Sequence, residues 1–113
     1  MLRSGETRGG VGRRIVTISQ EDLENSIEIL RGFGATKIVL FGSAAESLES
    51  ARDLDLACDG IDGWEFFCAG AQLEDALPFP VDLVALSPPS RFTRHIEKWG
   101  RVVYESREAS RRD

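Results

Sequence analysis

Asp53 and Asp55 stand two residues apart in the run Asp53-Leu54-Asp55-Leu56. In a strand, successive side chains point to opposite faces, so both carboxylates would project from one face and Leu54 and Leu56 from the other. Two carboxylates held side by side repel each other, and little reconciles them except a hard divalent cation. Mg²⁺ (or Mn²⁺) suits, because it takes oxygen ligands and leaves room for water and substrate phosphates. Upstream, an apolar run ends in Phe41 and turns at Gly42-Ser43. Glycine lets the backbone come close to a phosphate, and serine offers both an N–H and a hydroxyl. A third carboxylate, Asp82, is set in the apolar run Val81-Asp82-Leu83-Val84-Ala85-Leu86. Each piece has a plainer reading. Asp82 could face solvent on an edge strand, Gly42-Ser43 could be a turn and no more, and Asp53 could join a helix to a strand. Buried charge is costly unless paired or metal-bound, however, and here three carboxylates fall in or beside apolar strands. Together they read as a metal and phosphate site.

The elements that must position these residues follow from periodicity and punctuation. Ile15 to Ile18 is an apolar lead-in. Ser19 reads as an N-cap with acidic Glu21 and Asp22 in the first turn, opening a helix with Leu23, Ile27 and Leu30 on its apolar stripe. That helix should end near Gly32-Phe33-Gly34. Lys37 to Phe41 is the first central strand, and Ala44 to Ser50 is helix-compatible, with its N-terminus facing the phosphate turn. Asp53 to Cys58 is the second strand. Asp59-Gly60 and Asp62-Gly63 are turn signals, and Asp62 with Glu65 resembles a helix start. Trp64, Phe67, Cys68 and Ala71 fall at helical spacing and read as core, with Phe66 off the stripe. Pro78 and Pro80 close that helix, and Val81 to Leu86 is the next strand. Ser90 caps a last helix with Phe92, Ile96 and Trp99 as its apolar face and Gly100 at its end. Arg101 to Glu105 is the closing strand.

The 113 residues suit one domain. Three parts are expected: a flexible basic arm over 1–14, a folded domain over 15–105 and a polar tail over 106–113. Hydrophobic residues make up 42%, an ordinary soluble composition. No apolar run approaches the ~20 residues of a membrane-spanning helix, and the first residues lack the apolar centre of a signal peptide. A cytoplasmic protein with no membrane partner is expected. Cys58, Cys68 and the single histidine, His95, make neither a zinc set nor a disulfide framework, and both cysteines read as buried thiols. The net charge of -5 is uneven, since 15–105 holds seven basic against sixteen acidic residues. An acidic body is a poor general binder of nucleic-acid backbones, so a nucleic-acid partner is not expected.

The ordered set Gly42-Ser43, Asp53-Leu54-Asp55 and Asp82 resembles the signature of the DNA polymerase β-like nucleotidyltransferases. In length and spacing it looks most like their minimal members, the MNT domains found beside HEPN partners in toxin–antitoxin pairs. The resemblance covers most of Ile38 to Glu105. It implies an α/β fold, a small mixed sheet flanked by helices, and transfer of a nucleoside monophosphate, AMP from ATP, to a hydroxyl. It also implies Asp53, Asp55 and Asp82 as catalytic metal ligands, with Gly42 and Ser43 holding the nucleotide's phosphates. Where the family often has Arg at the first and third positions after Gly-Ser, this chain has Ala44 and Glu46, which disfavours a triphosphate. Arg52, Lys37, Arg91 or Arg94 could restore positive charge if the fold brings them close. Larger nucleotidyltransferases add a helical domain over the acceptor, so a helical HEPN-type partner in a hetero-oligomer is the expected acceptor, contacted through Trp64, Phe66 and the Arg91–Arg94 helix. The alternative is a catalytically weak or inactive module that acts by binding its partner.

Overall fold

A computed structural model describes residues 17–106. The expected arm, Ile15 and Val16 of the lead-in, and all of the expected tail but Ser106 lie outside the described residues. The elements are α1 (Gln20–Gly32), β1 (Lys37–Phe41), α2 (Ser43–Glu46), β2 (Leu54–Asp59), α3 (Gly63–Ala76), β3 (Val81–Ala85), α4 (Arg91–Trp99) and β4 (Arg101–Glu105).

The four strands form one mixed sheet in the order β3-β2-β1-β4. β1 pairs antiparallel with both β2 and β4, and β2 pairs parallel with β3. A parallel pair needs a crossover, and α3 supplies it. Alternation along each strand divides the side chains between two faces. Ile38, Leu40, Leu54, Leu56, Cys58 and Val81 face the larger core, with Leu23 and Leu30 of α1 and Ala69 and Leu73 of α3. Val39 and Ala57 face the other way and are covered by Ile96 of α4, with Leu86 beside them and Phe41 and Val84 at the margin.

Both predicted serine caps are present. Ser19 and Asp22 exchange side chain-to-backbone hydrogen bonds of 3.0 Å at the start of α1. At α4, Ser90 Oγ accepts from Thr93 N–H at 3.1 Å and Thr93 Oγ1 accepts from Ser90 N–H at 2.8 Å. These reciprocal bonds satisfy backbone donors that a helix start leaves open. Ser26 joins Leu23 and Leu30 on the buried face of α1, its hydroxyl donating to Asp22 O at 2.9 Å, and Ile27 packs partly buried against the same core.

Two helices turn differently from their expected stripes. In α3, Trp64 is 76% and Phe67 68% exposed, while Ala69 and Leu73 are buried and Phe66 packs against the core. The stripe Trp64, Phe67, Cys68, Ala71 runs on into acidic Glu74 and Asp75. The stripe Phe66, Ala69, Leu73 runs on to buried Leu77, and the longer apolar stripe wins. Cys68 is half-buried. In α4, Thr93 and Ile96 are buried, and Phe92 and Trp99 are 55% and 67% exposed. The sheet presents only Val39, Ala57 and Val84 there, and Ile96 fills that small patch.

Candidate functional site

β1 ends and β2 and β3 begin at the same end of the sheet. Phe41 pairs with Asp55, and Asp55 pairs in parallel register with Asp82. The three make one row across the sheet, with strands about 4.8 Å apart. By alternation with Val39, Ala57 and Val84, the whole row lies on the α4 face. α4 covers the next row, Val39-Ala57-Val84, so the carboxylates sit at an open end just beyond the apolar cover. Asp53 is one residue short of β2, in an exposed bend. The expectation that Asp53 and Asp55 share a strand is corrected to that extent: Asp53 approaches from the loop.

Asp55 nonetheless feels the other two carboxylates. Burial, then Asp82, then Asp53 raise the Asp55 carboxyl above its ordinary value of 3.8. Desolvation and like charge both favour the protonated form. Among the described residues the carboxylates of Asp53, Asp55 and Asp82 make no hydrogen bond or ion pair. Asp82 is on an edge strand and exposed, so the solvent-facing reading of that residue and its adjacency to Asp55 are both true.

The Gly42 turn closes against this pair. Gly42 has φ 72 and ψ -156, a region that essentially only glycine occupies. A Cβ there would also strike the carboxylate of Asp55, with Asp55 Cγ at 3.2 Å. The backbone at Gly42 is therefore in direct reach of the Asp55 carboxylate. α2 is a single turn, Ser43–Glu46, shorter than the helix expected through Ser50, because Ser47 returns to extended backbone. Its four residues include no Lys or Arg, and Glu46 is exposed.

Lys37 cannot supply the missing charge. It lies at the opposite end of β1, paired with Asp59 in register and with Glu97 at 3.6 Å. Arg91 and Arg94 are exposed on α4. Arg101, not singled out in the sequence, pairs with Leu40 at the open end. Phe92 meets Phe41 edge to face, ring centroids 6.2 Å apart. The alternation of Val39 and Phe41 was the available signal that Phe41 shares the aspartates' face.

The donors here are hard oxygens, and the Asp55–Asp82 pair repels itself, which fits Mg²⁺. Among the described residues no three His, Cys, Asp or Glu side chains are gathered as a group that could hold a metal ion. The expected set of Asp53, Asp55 and Asp82 is therefore not gathered as a three-carboxylate group; the sheet itself brings together Asp55 and Asp82.

No family model and no curated protein matches the chain. Solved structures do resemble it. One is a mutant of the toxin–antitoxin MntA–HpeT carrying two Asp-to-Glu changes two positions apart, with 22% identity, TM-score 0.63, and coverage of 75% of this chain and 74% of that one. Another is a tri-AMPylated Shewanella oneidensis HEPN toxin in complex with MNT antitoxin, with 24% identity, TM-score 0.62, and coverage of 80% and 76%. A third is a toxin–antitoxin with AMP-PNP, with 26% identity, TM-score 0.61, and 75% of each chain covered. The order of strands and helices and these likenesses agree: the chain has the minimal nucleotidyltransferase fold.

Proposed function

We propose that this protein is a Mg²⁺-dependent nucleotidyltransferase that moves AMP from ATP to a hydroxyl of a HEPN-type helical partner, acting as the antitoxin of a cytoplasmic pair. The observation that carries the reading is the row Phe41-Asp55-Asp82 with Gly42 closed against Asp55. Two of the similar structures support the chemistry, one with an AMPylated toxin and one with AMP-PNP. The two-position spacing of the Asp-to-Glu changes in a third is the spacing of Asp53 and Asp55.

In this reading Asp55 and Asp82, with Asp53 from the loop, hold the ion, and Gly42 and Ser43 receive the β- and γ-phosphates. Bound Mg²⁺ would supply neutralisation of charge on the transferring group. The acceptor oxygen bonds to the α-phosphorus as the bond to the bridging oxygen breaks. Pyrophosphate leaves, and the hydroxyl proton passes to water. The protein's share is positioning, which such transfers chiefly need.

Glu46 favours one other reading, a binding module that keeps the fold and transfers poorly, because the turn after Ser43 carries a negative charge and no positive one. ATP labelled at the α-phosphate, incubated with Mg²⁺ and a coexpressed HEPN-type protein, separates the two. Label should appear on the partner and vanish with Asp82→Asn. Tight partner binding without label, even with high ATP and Mn²⁺, would leave only the binding module.

A further inference from the structure

We infer that the outward face of α4 is a docking surface for an acidic segment of the acceptor protein, laid so that its hydroxyl reaches Asp55 and Asp82. That the docked segment is the acceptor rests on the proposed transferase activity; the docking itself does not.

Two stripes run along α4 beside its buried Thr93 and Ile96. Phe92, His95 and Trp99 recur at i, i+3 and i+7, so they share one flank. All three are exposed, Phe92 at 55% and Trp99 at 67%, and Val102 just past the helix is 50% exposed. Arg91, Arg94 and Lys98 recur at the same spacing on the adjoining flank, all exposed, and Lys98 Nζ sits 5.4 Å from the Trp99 ring centroid. An aromatic stripe rimmed by Arg is the composition of interface anchors.

Charge says what kind of surface would cover it. Residues 91–99 carry three basic residues against Glu97, and the other residues of 15–105 carry four basic against fifteen acidic. Glu97 is turned away to Lys37. The patch is thus an isolated basic island on an acidic body. Such an island attracts a short acidic segment. A nucleic-acid strand extended beyond it would run into the acidic remainder, and backbone affinity needs a longer basic track.

Position says what the segment would do. Phe92 in the first turn rests on Phe41, the register partner of Asp55. The other end of α4 packs on the middle of β1, and Glu97 there reaches Lys37 at the opposite end. Gly100 packs so tightly that a Cβ would lie 2.7 Å from Val39 Cγ1 and 2.8 Å from Leu40 O, and Arg101 pairs with Leu40. A chain lying along α4 with one end at Phe92 therefore finishes beside the carboxylates. Trp64 and Phe67 lie on α3, across the sheet from this face, and are not part of the surface.

The probe is a fluorescein-labelled amphipathic helical peptide, Glu-rich on one side, Leu-bearing on the other, with a single Tyr. Fluorescence anisotropy with the full chain, without nucleotide, should show salt-sensitive binding. Arg94→Glu with Lys98→Glu should abolish it, Trp99→Ala should weaken it about tenfold, and Trp64→Ala should leave it unchanged. All of these side chains are exposed, and unchanged thermal melts would confirm that the variants fold. Three results would overturn the inference: no binding by the parent protein, binding indifferent to the charge reversal, or tighter binding of an oligoadenylate RNA lost in the same variants. A protein that captures the peptide but no Mg²⁺–AMP-PNP sustains the docking surface and removes the transferase reading. One that binds nucleotide but not peptide does the reverse.

Discussion

The two ends of the sheet's α4 face are built from the same residue types and finished differently. At one end Asp59 has its carboxylate spoken for. Its Oδ1 accepts from Ser87 Oγ at 3.0 Å and from Gly60 N–H at 3.1 Å, and Lys37 beside it is paired with Glu97. At the other end Asp55 and Asp82 are register neighbours with no hydrogen-bond or ion-pair partner among the described residues, and Gly42 leaves Asp55 the space a side chain would take. A carboxylate used only for structure can be satisfied locally, as Asp59 is. Carboxylates left crowded and unpaired at the open end cost stability, and that cost makes sense if something cationic completes them.

Carboxylate substitutions at the two ends should move stability in opposite directions. The largest effect is expected at Gly42. Gly42→Ala must strain the backbone and displace the Asp55 carboxylate, costing about 2 kcal/mol, read by urea unfolding, and it should also abolish nucleotide binding. Asp59→Ala should come next, destabilising by about 1 kcal/mol through two lost hydrogen bonds while leaving nucleotide binding intact.

Asp55→Asn should move stability the other way. The raised pKa of Asp55 means that the folded protein holds this proton more tightly than the unfolded chain does. Its contribution is favourable below 3.8 and is lost as pH rises through the higher folded value. At pH 7 the variant should therefore be more stable than the parent, by up to about 1 kcal/mol, the scale of exposed charge interactions. The difference should close as the solution is acidified below 3.8. A variant less stable than the parent at pH 7 would break the contrast between the two ends.

The smallest effect concerns Cys58, on the core face of β2. Burial, and secondarily Asp59, push its thiol from 9.0 up to about 12. Its share of stability is present below 9.0 and lost as pH rises towards 12. Iodoacetamide at pH 9 should label the half-buried Cys68 well before Cys58, as mass spectrometry of the tryptic peptides would show.

The sequence marked the open end more clearly than the helices that frame it. Strand alternation is a local rule, so the four strands could be read from the sequence, but the row Phe41-Asp55-Asp82 is set by the register between strands, which no local pattern fixes. Ser19 and Ser90 were legible as caps because capping, too, is local. The faces of α3 and α4 were not, since each helix carries more apolar residues than its buried stripe needs. Trp64 and Phe67 lost to Phe66, Ala69 and Leu73 because the latter stripe continues into Leu77. Ile96 took its expected buried place, but Thr93 and not Phe92 or Trp99 joined it, because the sheet offers only the small patch Val39, Ala57 and Val84. Asp53 fell outside its strand because β2 begins where Leu54 N–H bonds to Pro80 O, a contact made by residues far apart in the chain.

The central claim is that the unpaired end, and not the satisfied one, is the nucleotide and metal site. Isothermal titration of Mg²⁺–AMP-PNP into the parent protein, Asp55→Asn and Asp59→Asn tests it most directly. Mg²⁺-dependent binding in the parent and in Asp59→Asn, with none detectable in Asp55→Asn, is the result this account predicts. Affinity in Asp55→Asn equal to that of the parent would contradict it.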